Sequence, residues 1–189
     1  MKIGIDIDGV IADFVGAFLP KLNTICRCGF EDIIHYDFKE NIPVDETEYE
    51  QLWQEEVSNG RIYDRLVPVE GAKVALEHLS EKHNILLIST RKRVLKEMTL
   101  KWLRDNEIPF HELHLVENRK EKIAMMSDCD IVIEDDLEVA RMVQQRGVRI
   151  LLFDYPWNRI AKAIKRVNSW GEALAIVEMQ ESTEGSDGK

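Results

Sequence analysis

The hydrophobic pattern opens on Lys2-Ile3-Gly4-Ile5-Asp6-Ile7-Asp8, a short β-branched run that ends in acids. A buried strand reads this way where it delivers the chain into a loop. Four later apolar runs share that character, at 84–89, 112–116, 130–134 and 149–153, and each is separated from the next by a stretch long enough for a helix. Residues 94–105 carry Val94, Met98, Lys101 and Trp102 at turn spacing, and residues 137–145 run into Arg146-Gly147, a glycine stop. A last helix is expected near 169–180. Residues 181–189 contain no apolar side chain and are expected to be disordered. Strands alternating with helices predict an α/β, Rossmann-like fold: a parallel five-stranded sheet with helices on both faces.

One interval breaks this rhythm. A strand-helix-strand unit needs roughly 30 residues, but the first strand ends near Asp8 and the next starts near Asn84. Within that interval, residues 47–57 place Tyr49, Leu52, Trp53 and Val57 on one helical face, whereas 29–43 fits neither a helix nor a strand. Residues 15–66 are therefore expected to form a small, mostly helical cap, inserted after strand one into a core made of 1–14 and 67–180.

Composition narrows the function. With 189 residues, 44% of them apolar, the chain can build one buried core plus a modest insertion but not two large domains. The formal net charge is -10 and the Lys and Arg residues are scattered, so a nucleic-acid polymer is not an expected partner. The sequence contains no run of about 18 apolar residues and no signal-peptide pattern, so no membrane association and a cytoplasmic location are expected. Cys26, Cys28 and Cys129 cannot make a disulfide framework, and Cys26-Arg27-Cys28 lacks the second pair that zinc sites usually supply. The histidines, His35, His78, His83, His111 and His114, show no metal spacing with matching partners. A cation site must come from acids.

Asp6-Ile7-Asp8-Gly9-Val10 lies where a parallel strand delivers residues to the carboxyl-end crevice in which open α/β sheets bind ligands. The next strand ends Ser89-Thr90-Arg91, a small hydroxyl at the same edge that would equally suit a helix cap. Asn118-Arg119-Lys120-Glu121-Lys122 brings cations ahead of a helix. Cations there oppose the helix dipole and hint at an anionic partner, although a solvated basic turn fits the segment taken alone. Ile131-Val132-Ile133 then runs into Glu134-Asp135-Asp136. Three adjacent acids repel one another unless a cation is present or the side chains splay into water, and hard oxygen ligands favour magnesium over zinc or copper.

In this order, the acid pair, hydroxyl, lysine and acid cluster resemble the four motifs of the haloacid dehalogenase superfamily, over about residues 1–153. The run from Asp6 to Phe14, followed by an inserted cap and Glu134-Asp135, is most similar to the 5'(3')-deoxyribonucleotidase family. The resemblance implies a phosphomonoester hydrolase acting on a small phosphorylated substrate, a (deoxy)nucleoside monophosphate. Asp6 would be the nucleophile that forms an aspartyl-phosphate, and Asp8 the general acid and base. Mg2+ would be held by Asp6, the backbone carbonyl of Asp8, and Asp135. Ser89 and a lysine, Lys122 or Lys120, would meet the phosphoryl oxygens. Phe14 would lie against the base, and Thr90 and Arg91 are further substrate-binding candidates, Arg91 for a second anionic group. Glu134 departs from the glycine or aspartate common at its place in relatives. A receiver-type signalling domain is disfavoured, because its acceptor aspartate would end strand three, where the chain reads Leu115-Val116-Glu117-Asn118. A phosphatase of sugar phosphates and a catalytically silent ligand-binding relative stay as alternatives.

Overall fold

A computed structural model of the protein describes residues 1–41, 43–160 and 163–184, the last four by backbone alone. Its centre is one parallel sheet of β1 (Lys2–Ile5), β2 (Asn84–Ser89), β3 (Glu112–Leu115), β4 (Ile131–Glu134), β5 (Arg149–Phe153) and β6 (Arg166–Val167), in the order β3-β2-β1-β4-β5-β6. The sheet has six strands rather than the expected five. The sixth has two residues, one of them charged, so it carries no hydrophobic period. It exists through pairing with Leu152 and Phe153 and through the Asp154 amide, which donates to the Val167 carbonyl at 2.9 Å.

Period-two alternation divides the sheet's side chains between two apolar layers. Ile85, Leu87, Ile131, Ile133, Leu151 and Phe153 enter one layer. Leu86, Ile88, Val132, Ile150 and Leu152 enter the other. The second layer is closed by α5 (Arg119–Met126) and α6 (Leu137–Gln144) through Ile123, Met126, Val139 and Val143. The first is closed by α3 (Ala72–Ser80), α4 (Lys96–Asp105) and α7 (Trp170–Glu184), through Leu76, Trp102 and Trp170 among others. α7 runs past the expected end near residue 180; residues 185–189, the rest of the expected tail, lie outside the described residues. Among the described residues no helix is long and apolar enough to cross a membrane.

The interval between β1 and β2 is mostly helical. Ahead of α3 it holds α1 (Phe14–Leu22), α2 (Glu46–Trp53) continued by a π-helical turn (Gln54–Ser58), and three short 3-10 turns. Two of these turns lie in the stretch 29–43 that has no period. That stretch is held by Asn41, which donates to the His35 and Asp37 carbonyls and accepts from the His35 amide at 2.6 Å. The Asp13 amide donates to the Val67 carbonyl at 2.9 Å, bringing the two ends of this interval together. Phe18, Ile33, Tyr49 and Ile62 are buried in the same apolar layer as the sheet residues, so the insertion shares the core's apolar face.

Candidate active site

The site is built at the carboxyl ends of β1, β2 and β4, where the strand order turns away from β1 on both sides. The Asp6 amide is still held by the Ile133 carbonyl at 3.0 Å, and the side chain is buried. Immediately beyond it the chain folds on itself: the Ile11 and Ala12 amides both donate to the Ile7 carbonyl, at 2.9 and 2.8 Å. The buried Trp170 indole on α7 donates to the Val10 carbonyl at 2.8 Å and fixes this loop from behind. Gly9 has φ +85, and a Cβ there would lie 2.3 Å from Asp135 Oδ2. The glycine is therefore required twice, by its left-handed backbone and by the carboxylate pressed against it.

The three adjacent acids have different surroundings. Glu134 Oε2 accepts the Asp135 and Asp136 amides at 2.8 and 3.3 Å, and its Oε1 lies 2.5 Å from the Lys122 ammonium. Asp136 caps α6, accepting the Glu138 and Val139 amides, and pairs with Arg119 Nε at 2.7 Å. Asp135 Oδ1 is buried without a hydrogen-bond partner among the described residues. Oxygens of Asp6, Glu134 and Asp135 fall within 4.8 Å of one another.

Lys122, buried on the first turn of α5, reaches Asp6 Oδ1 at 2.9 Å as well as Glu134. Burial disfavours its charged form, but the Asp6 and Glu134 carboxylates outweigh it and hold the ammonium protonated. Burial, reinforced by Glu134, pushes the Asp6 carboxyl well above the usual carboxylate range, with Lys122 opposing. Burial, then Glu134 and Asp6, push Asp135 up in the same direction. A single ammonium thus faces a group of buried acids, which ionise together only if more positive charge arrives. The orphaned oxygen of Asp135 and the all-oxygen donor set fit a hard divalent cation such as magnesium.

Beside the acids opens a cavity of about 520 Å³, walled by Asp6, Asp8, Phe14 and Ser89 and, from residues 15–66, by Tyr36 and Trp53. Ser89 is buried and its Oγ accepts the Arg91 amide at 3.2 Å, while Thr90 is exposed at the cavity wall. Phe14 packs against Phe18, Phe38 and Trp53 at centroid distances of 5.7, 6.0 and 6.2 Å.

The sequence profile of the family described as "5' nucleotidase, deoxy (Pyrimidine), cytosolic type C protein" matches residues 1–181. The chain belongs to that family. This nucleotidase-family enzyme, of the phosphatase class, is 30% identical over 184 residues to a nucleotidase candidate of Halalkalibacterium halodurans, covering 94% of this chain and 92% of that one. It is 27% identical over 183 residues to a nucleotidase of Clostridium acetobutylicum, covering 94% of each. A haloacid dehalogenase-like protein of unknown function from Agrobacterium tumefaciens superposes with a TM-score of 0.69 at 16% identity, over 95% of this chain and 98% of that one. That last likeness concerns the fold alone.

In the enzyme, Asp6, Asp8, Ser89 and Asp135 border one cavity, with Lys122 bonded beneath to Asp6. Lys120 is exposed and outside the cavity wall, because two residues along a helix turn a side chain to the opposite face. Arg91, expected to hold a second anionic group, instead forks onto Asp8, with Nε–Oδ2 and Nη2–Oδ1 distances of 2.8 and 2.7 Å. Sequence reasoning assigned no role to two further residues. Tyr36, an exposed residue at the cavity wall, lies over Arg119, ring centroid to guanidinium 5.2 Å. Asn158, wholly buried after β5, donates to the Asp135 carbonyl at 2.9 Å and to the Phe153 carbonyl at 2.8 Å. Neither has a local signal: Tyr36 sits in the aperiodic stretch, and only the hint of a turn at Pro156 marks the neighbourhood of Asn158.

Proposed function

We propose that this enzyme is a magnesium-dependent 5'-nucleotidase that hydrolyses cytoplasmic (deoxy)nucleoside monophosphates through an aspartyl-phosphate on Asp6. The observation that carries this reading is the buried Asp6 carboxylate at the cavity wall, held by Lys122 on one oxygen and grouped with the unsatisfied Asp135.

An Asp6 oxygen attacks phosphorus, the ester P–O bond breaks, and the departing oxygen takes the proton of the Asp8 carboxyl. Water then attacks the phosphorus of the aspartyl-phosphate while the Asp8 carboxylate takes its proton. The bond to Asp6 breaks, phosphate leaves, and the Asp6 carboxylate is restored. Lys122 favours the ionised form of Asp6 against burial and holds the carboxylate in place, and Glu134 holds Lys122 there. Ser89 Oγ, at the cavity wall, supplies a donor to a phosphoryl oxygen. Asp6, Asp135 and the Asp8 carbonyl would hold Mg2+, which when bound neutralises phosphoryl oxygens so that an anionic nucleophile meets an anionic ester.

Two features support a nucleotide. The cavity falls in the range of roughly 300–1,000 Å³ usual for small ligands, and its insertion side carries aromatic rings that suit a planar base. The test is catalytic efficiency on deoxynucleoside monophosphates and on sugar phosphates, with wild type, Asp6→Asn and Phe14→Ala side by side. Asp6→Asn should be inactive on both classes. Phe14→Ala should raise the nucleotide KM several-fold to about tenfold, the equivalent of an aromatic face worth about 0.5–1.5 kcal/mol. Preference of wild type for sugar phosphates would refute the nucleotidase reading.

A further inference from the structure

Three separate elements meet around Arg91: the loop after β1, α4 and a 3-10 turn between β1 and β2. Its side chain is buried, and its fork is matched to the Asp8 carboxylate through Nε and Nη2, the planar bidentate geometry that arginine forms and lysine does not. The remaining terminal nitrogen, Nη1, donates to Thr99 Oγ1 on α4 at 3.3 Å. The guanidinium carbon lies 4.3 Å from the ring centroid of Tyr63, in the 3-10 turn Arg61–Arg65 of the insertion, and 6.0 Å from that of Trp102 on α4. Trp102 is itself fixed, its indole donating to the Leu66 carbonyl at 2.8 Å. Asp8, in contrast, is 22% exposed and borders the cavity.

We infer that Arg91 is a positioning residue for proton transfer: it fixes the plane of the Asp8 carboxylate towards the leaving oxygen. The inference rests on the proposed function, in which Asp8 is the acid and base. Proton transfer needs the carboxyl within about 2.6–3.2 Å of the departing oxygen, and an unheld aspartate on a loop spreads over several rotamers. Each carboxylate oxygen accepts one Arg91 N–H and keeps a second lone pair. The bridged carboxylate is the form Asp8 takes once its proton has gone to the leaving group, ready to accept one from water. The insertion contributes the Tyr63 ring that backs the guanidinium, so placement of the acid depends on cap and core together.

The experiment measures the first displacement in single turnover, with Mg2+, on two esters. A deoxynucleoside monophosphate expels an alkoxide that needs the proton; dinitrophenyl phosphate expels a stable phenolate that does not. Positioned general acids contribute about 10²–10⁴-fold, so Arg91→Gln should slow nucleotide cleavage about a hundredfold and Arg91→Lys about tenfold, with the aryl ester within about threefold of wild type. Equal losses on both esters would overturn the inference and make Arg91 a binding or folding residue. Asp8→Asn separates the two levels. If it harms both esters alike, the acid role of Asp8 fails; if it harms only the nucleotide while the Arg91 variants do not, the inference alone fails. Should Arg91→Gln not fold, Thr99→Val removes one guanidinium partner and should give a smaller loss, of about two- to fivefold, selective for the nucleotide. No selectivity there would count against the inference.

Discussion

Gly9→Ala isolates the contact between the Asp6–Asp8 loop and Asp135, the proposed metal ligand. Two costs follow from the geometry. A non-glycine residue at φ +85 costs about 1–2 kcal/mol of backbone strain. The new Cβ would stand 2.3 Å from Asp135 Oδ2, whereas ordinary contact starts at 3.4 Å, so the carboxylate must retreat by about 1 Å. Asp135 is buried and its carbonyl is held by Asn158, so the retreat displaces a proposed metal ligand rather than the chain. Disturbing the support of a metal ligand typically costs 10–100-fold in affinity, and the Mg2+ concentration for half-maximal hydrolysis should rise by about that factor. Gly147→Ala is the control: φ is +87, and a Cβ there meets nothing within 4 Å. It should carry the backbone strain, seen as a lower melting temperature, with wild-type Mg2+ dependence. If Gly9→Ala keeps wild-type half-saturation, or Gly147→Ala shifts it equally, Asp135 is not the ligand that the loop presses against.

Three other outcomes are expected. Asp135→Ala should weaken Mg2+ dependence strongly, whereas Asp136→Ala, which removes the α6 cap and the Arg119 partner, should cost about 0.5–2 kcal/mol of stability with little change in Mg2+ half-saturation; titrations and melts of both variants check this, and the opposite ranking would reverse the assignment. Asn158→Ala orphans two buried carbonyls, those of Asp135 and Phe153, so denaturant unfolding should show about 1–3 kcal/mol lost for each; an unchanged midpoint would mean that neither bond matters. Because Asp6 and Asp135 are raised, the metal-free folded chain binds more protons than the unfolded one. Its stability is therefore fullest below the unfolded carboxylate value of about 4 and is lost as pH rises towards the raised folded values. Melting in chelator should be lower near pH 8 than near pH 5, and Mg2+ should restore more at the higher pH, since it competes with those protons. Equal Mg2+ stabilisation at both would contradict the raised acids.

The parallel sheet and its acid-bearing edge were legible because both rest on local pattern. Strands buried on two faces must be continuously apolar, and 85–88 and 150–153 are such runs; the acids at 6, 8 and 134–136 stand out because charges end the runs before them. β6 was not legible, since two residues cannot show a period and only the partner strand makes them a strand. Which of Lys120 and Lys122 reaches Asp6 depends on the helix phase and on the position of Asp6 across the sheet. The contacts of Arg91, Glu134 and Asp136 likewise follow only from tertiary structure. In sequence Arg91 is one of three consecutive cations, and only the folded chain brings it against Asp8, Thr99 and Tyr63, 83, 8 and 28 residues away. Glu134, Asp135 and Asp136 are equivalent acids by composition. They differ because one backbone turn points them at a lysine, at an unmatched cavity and at a helix end. Sequence periodicity reports which face a residue lies on; which charge it meets depends on residues far along the chain, and burial then decides what that meeting does to its proton.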